Sequence, residues 1–96
     1  EIFGPIIPMQ SFSDFDDVLE RANNTMFGLS AYFFGHNSRE IAKAAETIRA
    51  GEIFVNGGVG SEFTPHPGHK QSGVGCDKSK WSMEEYYDFK LISLVP

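Results

Sequence analysis

Between positions 66 and 76 stand His66, His69 and Cys76, three side chains able to bind a metal or attack an electrophile. A structural zinc site needs closely spaced ligand pairs, and this trio has none, so no metal is expected. Cys76 has nucleophile chemistry in principle, since a thiolate can carry covalent catalysis. Gly57-Gly58-Val59-Gly60 and Gly68-His69-Lys70 have the glycine content of anion-binding loops. Neither has the spacing of a phosphate loop, nor a strand-to-helix junction ending in Lys-Ser or Lys-Thr.

These residues share one segment, 57–80, which is rich in glycine, proline and polar side chains. A loop of that length inside a compact domain is usually functional, so this one is the expected site region. The elements before it must hold it in place. Ile6, Ile7, Met9 and Phe12 read as a short strand, confined to an edge or a bulge by Pro8. Ser13 is the expected N-cap of a first helix, with acidic residues in its first turn. Phe15, Val18, Leu19 and Ala22 fall on one face of that helix. Asn23-Asn24-Thr25 ends it, and the apolar run 29–34 predicts a buried strand.

After the turn Gly35-His36-Asn37, either Asn37 or Ser38 caps a second helix, with Glu40 placed for a capping box with Asn37. Ile41, Ala44, Ala45 and Ile48 form its apolar face, and Gly51 is the expected stop. Residues 52–56 form a third strand. Alternating strands and helices with short connections predict an α/β fold, a parallel βαβαβ unit. After the long loop, residues 81–87 predict a short helix. Residues 88–95 alternate as a terminal strand, with Phe89, Leu91 and Ser93 on one side.

Composition narrows the function. The chain has 96 residues, enough for one domain or a part of one. Hydrophobic residues make up 41% and charged ones 22%, which predicts a folded globular piece. Eight basic against thirteen acidic residues give a net charge of −5, with no basic run, so neither nucleic acid nor an anionic membrane is an expected partner. No apolar stretch is long enough to span a bilayer, and no basic start with an apolar centre suggests a secretory leader. A single cysteine excludes an internal disulfide and fits a reducing compartment, so a cytoplasmic location is expected. The start, Glu1-Ile2-Phe3-Gly4-Pro5, reads as cut from inside a longer protein.

Four short strings then recur in a familiar order. They are Glu1-Ile2-Phe3-Gly4-Pro5, Ala22-Asn23-Asn24-Thr25 with Gly28-Leu29-Ser30-Ala31, Ala50-Gly51 with Val55-Asn56, and Lys70-Gln71-Ser72-Gly73. Together they resemble the landmarks of the aldehyde dehydrogenase superfamily across almost the whole chain. The resemblance implies an oxidoreductase: a cysteine thiolate attacks the aldehyde, hydride passes to NAD or NADP, and the thioester is hydrolysed. It further implies that residues 1–87 end the catalytic domain, with 57–80 as its substrate-side loop. Residues 88–96 would be the oligomerisation strand, pairing with another subunit of a homo-oligomer. The nucleophile and general base would lie upstream, leaving no catalytic residue in this chain, which alone is expected to be inactive. Cys76 does not stand where such enzymes place their cysteine.

By the same resemblance, Glu1 matches the carboxylate that accepts from the hydroxyls of the nicotinamide ribose, two oxygens suiting a vicinal diol. Phe3 matches the aromatic packed beside it. Phe63, Pro65, His66, Gly68 and Lys70 lie in the loop that walls the aldehyde pocket. Phe63 and His66 are the expected substrate contacts, His66 replacing an aromatic. An imidazole there suits a small polar aldehyde such as the hydroxyaldehyde lactaldehyde, with succinate semialdehyde as the nearest rival. Cys76-Asp77 replaces the Arg-Glu common in similar enzymes, so an ion pair there is not carried over. A reading from another class is a free-standing α/β interaction module with no catalytic role.

Overall fold

A computed structural model describes residues 3–96. The first helix, α1 (Phe15–Asn23), is capped by Asp14, whose carboxylate accepts from the Asp17 N–H at 2.8 Å. Ser13 was the expected cap. Asp14 takes the role because its backbone is extended and its carboxylate reaches a free first-turn N–H. Asp16 and Asp17 complement the helix dipole, and Arg21 pairs with Asp17 one turn back at 2.8 Å. Leu19 is buried, Phe15 and Val18 are half-buried, and Ala22 lies exposed at the margin of the face.

The second helix, α2 (Ser38–Thr47), is capped by Asn37, which accepts from the N–H groups of Arg39 and Glu40 at 3.0 and 3.5 Å. Ala44 has no exposed surface, Ile41 and Ile48 are half-buried, and Ala45 faces solvent. The helix ends at Thr47 with Ile48 as its C-cap, so Gly51 does not stop it. The helices pack together, and Lys43 pairs with Asp16 across them.

Two short strands follow α1, namely β1 (Phe27–Gly28) and β2 (Ser30–Phe33). After α2 comes β3 (Glu52–Val55), which pairs in parallel with β2, from Ser30 opposite Glu52 to Phe33 opposite Val55. Tyr32 stacks on Phe54 at 5.0 Å, and Phe15 of α1 meets Phe33 edge-on at 6.0 Å. The fold is mixed α/β, with one parallel crossover among the described residues rather than the expected two. Residues 6–12 join no ladder, and Ile6, Ile7, Met9 and Phe12 are all exposed. Pro8 donates no N–H, and no neighbouring strand runs beside this segment to complete one.

The long loop is more ordered than its composition suggests. It holds β4 (His66–Pro67), β5 (His69–Lys70) and β6 (Cys76–Asp77). β4 pairs antiparallel with β6, and β5 pairs antiparallel with β1. A 3-10 helix, Lys80–Tyr86, stands where the short helix was expected. Residues 88–96 form no ladder among the described residues, and Phe89, Leu91, Ile92, Leu94 and Val95 are exposed.

The radius of gyration is 18.3 Å, against about 12–13 Å for a compact domain of this length. Leu19 and Ala44 are the buried apolar residues, so the core is confined to the helix pair and its sheet. Among the described residues no helix is long and apolar enough to cross a membrane.

Candidate functional site

The loop meets the α/β unit at a close backbone crossing. Strand β4 runs over the start of β3, where a Cβ on Gly51 would lie 1.7 Å from the Pro67 carbonyl oxygen. No side chain fits there, so glycine is required by the approach of the two backbones. The Gly51 N–H in turn donates to the Gly28 carbonyl at 3.0 Å.

Around that crossing, the landmark residues bind one another. Asn23 donates from its amide to the Thr47 carbonyl at 2.8 Å and accepts from the Arg49 N–H at 2.7 Å. One side chain thus joins the ends of both helices. Lys70 donates to the carbonyls of Asn23 and Thr25 at 2.9 and 3.1 Å, placing a cation on the C-terminal end of α1. The Ser72 hydroxyl accepts from the Gly28 N–H at 2.9 Å, and the Gln71 N–H donates to the Met26 carbonyl at 2.9 Å. Asn56, at φ 55°, clasps Gly35 through both polar atoms of its amide, each at 2.8 Å. These strings therefore form a junction that holds the loop.

On the loop side of the junction lies a cavity of about 280 Å3, walled by Leu29, His66, Gly68, Ser72, Cys76 and Glu85 among others. His66 is half-buried, and its Nδ1 lies 2.9 Å from Oε2 of Glu52, whose side chain is 15% exposed. The carboxylate sits off the ring N–H direction, so the two atoms are in close contact without an aligned hydrogen bond. The Cys76 N–H donates to Glu85 Oε1 at 2.8 Å, and its thiol donates to the Asp77 carbonyl at 3.4 Å.

Of the expected substrate contacts, His66 lines this cavity and Phe63 does not; Phe63 is 86% exposed. Lys70, grouped with the pocket wall in the sequence, turns away to the end of α1. Glu1 lies outside the described residues. Phe3 is described, and its ring is 91% exposed. Among the described residues no cluster of His, Cys, Asp or Glu is placed to hold a metal. Sequence reading missed the Glu52–His66 contact. Its one signal was a carboxylate opening an otherwise apolar strand, Ile53-Phe54-Val55.

Residues 1–92 match the sequence profile described as "Aldehyde dehydrogenase family". A probable succinate-semialdehyde dehydrogenase [NADP(+)] of Sinorhizobium fredii is 40% identical over 96% of the chain, which covers 19% of that protein. A 3-sulfolactaldehyde dehydrogenase of Pseudomonas putida is 37% identical over 98% of the chain, which covers 20% of it. The solved structure of the aldehyde dehydrogenase KauB from Pseudomonas aeruginosa superposes with a TM-score of 0.86 at 35% identity, over 92% of this chain and 18% of that one. The chain thus spans about a fifth of the length of the curated relatives it matches.

Proposed function

The chain belongs to the aldehyde dehydrogenase family, and we propose that it works as the C-terminal segment of a longer NAD(P)-dependent enzyme that oxidises a small polar aldehyde to its carboxylate. That assignment removes the ground for an unrelated interaction module. The exposed apolar side chains of residues 3–12 and 88–96 support a segment that packs against further protein. Residues 1–87 act as the end of the catalytic domain, and 88–96 pair with another subunit of a homo-oligomer. Cys76 is a free thiol, in keeping with a cytoplasmic enzyme.

The observation that carries the substrate reading is His66, a polar side chain in the cavity wall at the position of a pocket aromatic in similar enzymes. Imidazole can donate to or accept from a substrate hydroxyl, which phenylalanine cannot do. Succinate semialdehyde is the second reading, favoured by the name of the 40% identical relative. The cavity weighs against it. Asp77 and Glu85 place two carboxylates in the lining and no Lys or Arg joins them, a poor setting for a second anion.

The described residues do not by themselves fit a nicotinamide cofactor. Phe3 is one exposed ring, so NAD or NADP binding belongs to the longer protein.

Substrate competition in the longer protein tests this reading. We expect a higher kcat/KM for lactaldehyde than for propionaldehyde or succinate semialdehyde. His66→Phe should lower the lactaldehyde-to-propionaldehyde ratio about two- to twelvefold, the worth of one neutral hydrogen bond. Preference for succinate semialdehyde by more than about tenfold, a difference of one pocket interaction, would establish the second reading instead.

A further inference from the structure

We propose that Glu52 is a positioning residue that orients the His66 ring and fixes which of its nitrogens faces the substrate. The proposal rests on the reading of His66 as a substrate contact. Its evidence begins at the crossing of β3 and β4. The approach of Pro67 to Gly51 sets the backbone there, and the pairing of His66 with Asp77 holds β4 from its other side. The neighbouring residues on the two strands, Glu52 and His66, are thereby brought to 2.9 Å although 14 positions apart.

The chemistry of the contact decides the ring's orientation. Glu52 is drawn well out of water, at 15% exposure, and a carboxylate so placed needs a donor or a cation against it. Nδ1 of His66 has essentially no exposed surface, whereas the His66 side chain as a whole keeps 33%. The exposed part of His66 is therefore other atoms of the side chain, and His66 is in the cavity wall. Nδ1 makes no aligned hydrogen bond in this structure but lies 2.9 Å from Oε2, so a small turn of the ring lets Nδ1 donate to Glu52 and leaves Nε2 as the acceptor for a substrate hydroxyl. Without Glu52 the ring can turn, and either tautomer can face the cavity. The other charged groups of the cavity wall are the carboxylates of Asp77 and Glu85.

The test is a double-mutant cycle in the longer protein, read as the ratio of kcat/KM for lactaldehyde to that for propionaldehyde. That ratio cancels damage common to both substrates. Glu52→Gln, which keeps the shape and removes the charge, should lower the ratio about two- to tenfold, up to the loss of one hydrogen bond. Glu52→Asp keeps the charge but shortens the reach, and should fall between wild type and Gln; it carries the test alone if the Gln variant does not fold. In a His66→Phe background neither substitution should change the ratio further, because Glu52 acts through His66. An unchanged ratio for both Glu52 variants, beside a lowered one for His66→Phe, would overturn the role of Glu52 and leave His66 standing. An effect that persists in the His66→Phe background would also overturn it. If His66→Phe itself leaves the ratio unchanged, the substrate-contact reading fails and this proposal falls with it.

Discussion

Residues 22–56 and the two ends of the chain hold their places by different means. In the middle, Asn23, Gly28, Gly51 and Asn56 complete their contacts within the chain, through side chain to backbone bonds of 2.7 to 2.9 Å and a backbone crossing with no room for a Cβ. At the ends, residues 3–12 and 88–96 carry large apolar side chains, such as Phe3, Ile7, Leu91 and Leu94, and leave them in solvent. Arg21 reaches Gln10 and the Ser11 carbonyl from α1, a polar tether that leaves Phe3, Ile7 and Met9 exposed. The contrast separates two kinds of information. A capping or bridging side chain finds its partner a few residues or one crossover away, so it can be satisfied locally. A strand is completed only by a neighbouring strand, which these ends do not find here.

The sharpest way to break the comparison is Gly51→Ala. A methyl group cannot occupy a point 1.7 Å from the Pro67 oxygen, so the loop must leave β3. We expect a loss of about 3 kcal/mol or more, beyond the usual cost of a core misfit, measured by chemical unfolding of the longer protein. A loss below about 1 kcal/mol, an ordinary point-mutant effect, would mean that the crossing yields easily.

Asn23→Ala comes next. It frees the Arg49 N–H and the Thr47 carbonyl at exposed positions, where water replaces part of each bond, for an expected loss of about 0.5–1.5 kcal/mol. Lys70→Met removes the cation from the end of α1 and should cost about 0.5–1 kcal/mol at low salt. Because that term is screened, the gap from wild type should narrow as salt is raised; a constant gap would point to lost packing instead. The smallest effect belongs to the ends. Leu91→Asp should change the stability of the isolated chain by less than about 0.5 kcal/mol, as for most surface positions. It should nonetheless reduce self-association in light scattering, which the wild-type chain is expected to show. A wild-type chain that stays monomeric at high concentration would remove the distinction between ends and middle.

The same distinction governs what could be read in the residues. The sequence narrowed the cap of α2 to Asn37 or Ser38, and Asn37 takes it by accepting from N–H groups two and three positions on, while α2 kept its face at Ile41, Ala44 and Ile48. At α1, Ser13 and Asp14 both offer a capping oxygen, and sequence order alone does not choose between them. The landmark strings were recognisable, yet their part in a common junction was not, since Asn23 and Lys70 meet only after the chain has passed twice through the fold. Gly51 was read as a helix stop. Its reason for being glycine is the Pro67 backbone, which no local pattern reveals. His66 could be singled out by its type in a pocket-wall position, whereas its contact with Glu52 depends on the same crossing.

The proposed function divides the labour: this segment would supply a wall of the aldehyde site and the junction behind it, while the attacking thiolate would belong elsewhere in the longer protein. Cys76 is the one thiol that could contradict it, because it lines the same cavity as His66. Serine in its place keeps a donor for the Asp77 carbonyl, so Cys76→Ser should leave the structure intact. The measurement is aldehyde-dependent NAD(P)H formation by the longer protein carrying Cys76→Ser. We predict turnover within about twofold of wild type, since a non-reacting wall position contributes little to the barrier. A fall of roughly ten-thousand-fold, the scale of a lost nucleophile, with melting temperature unchanged, would place the chemistry on Cys76 and contradict the account.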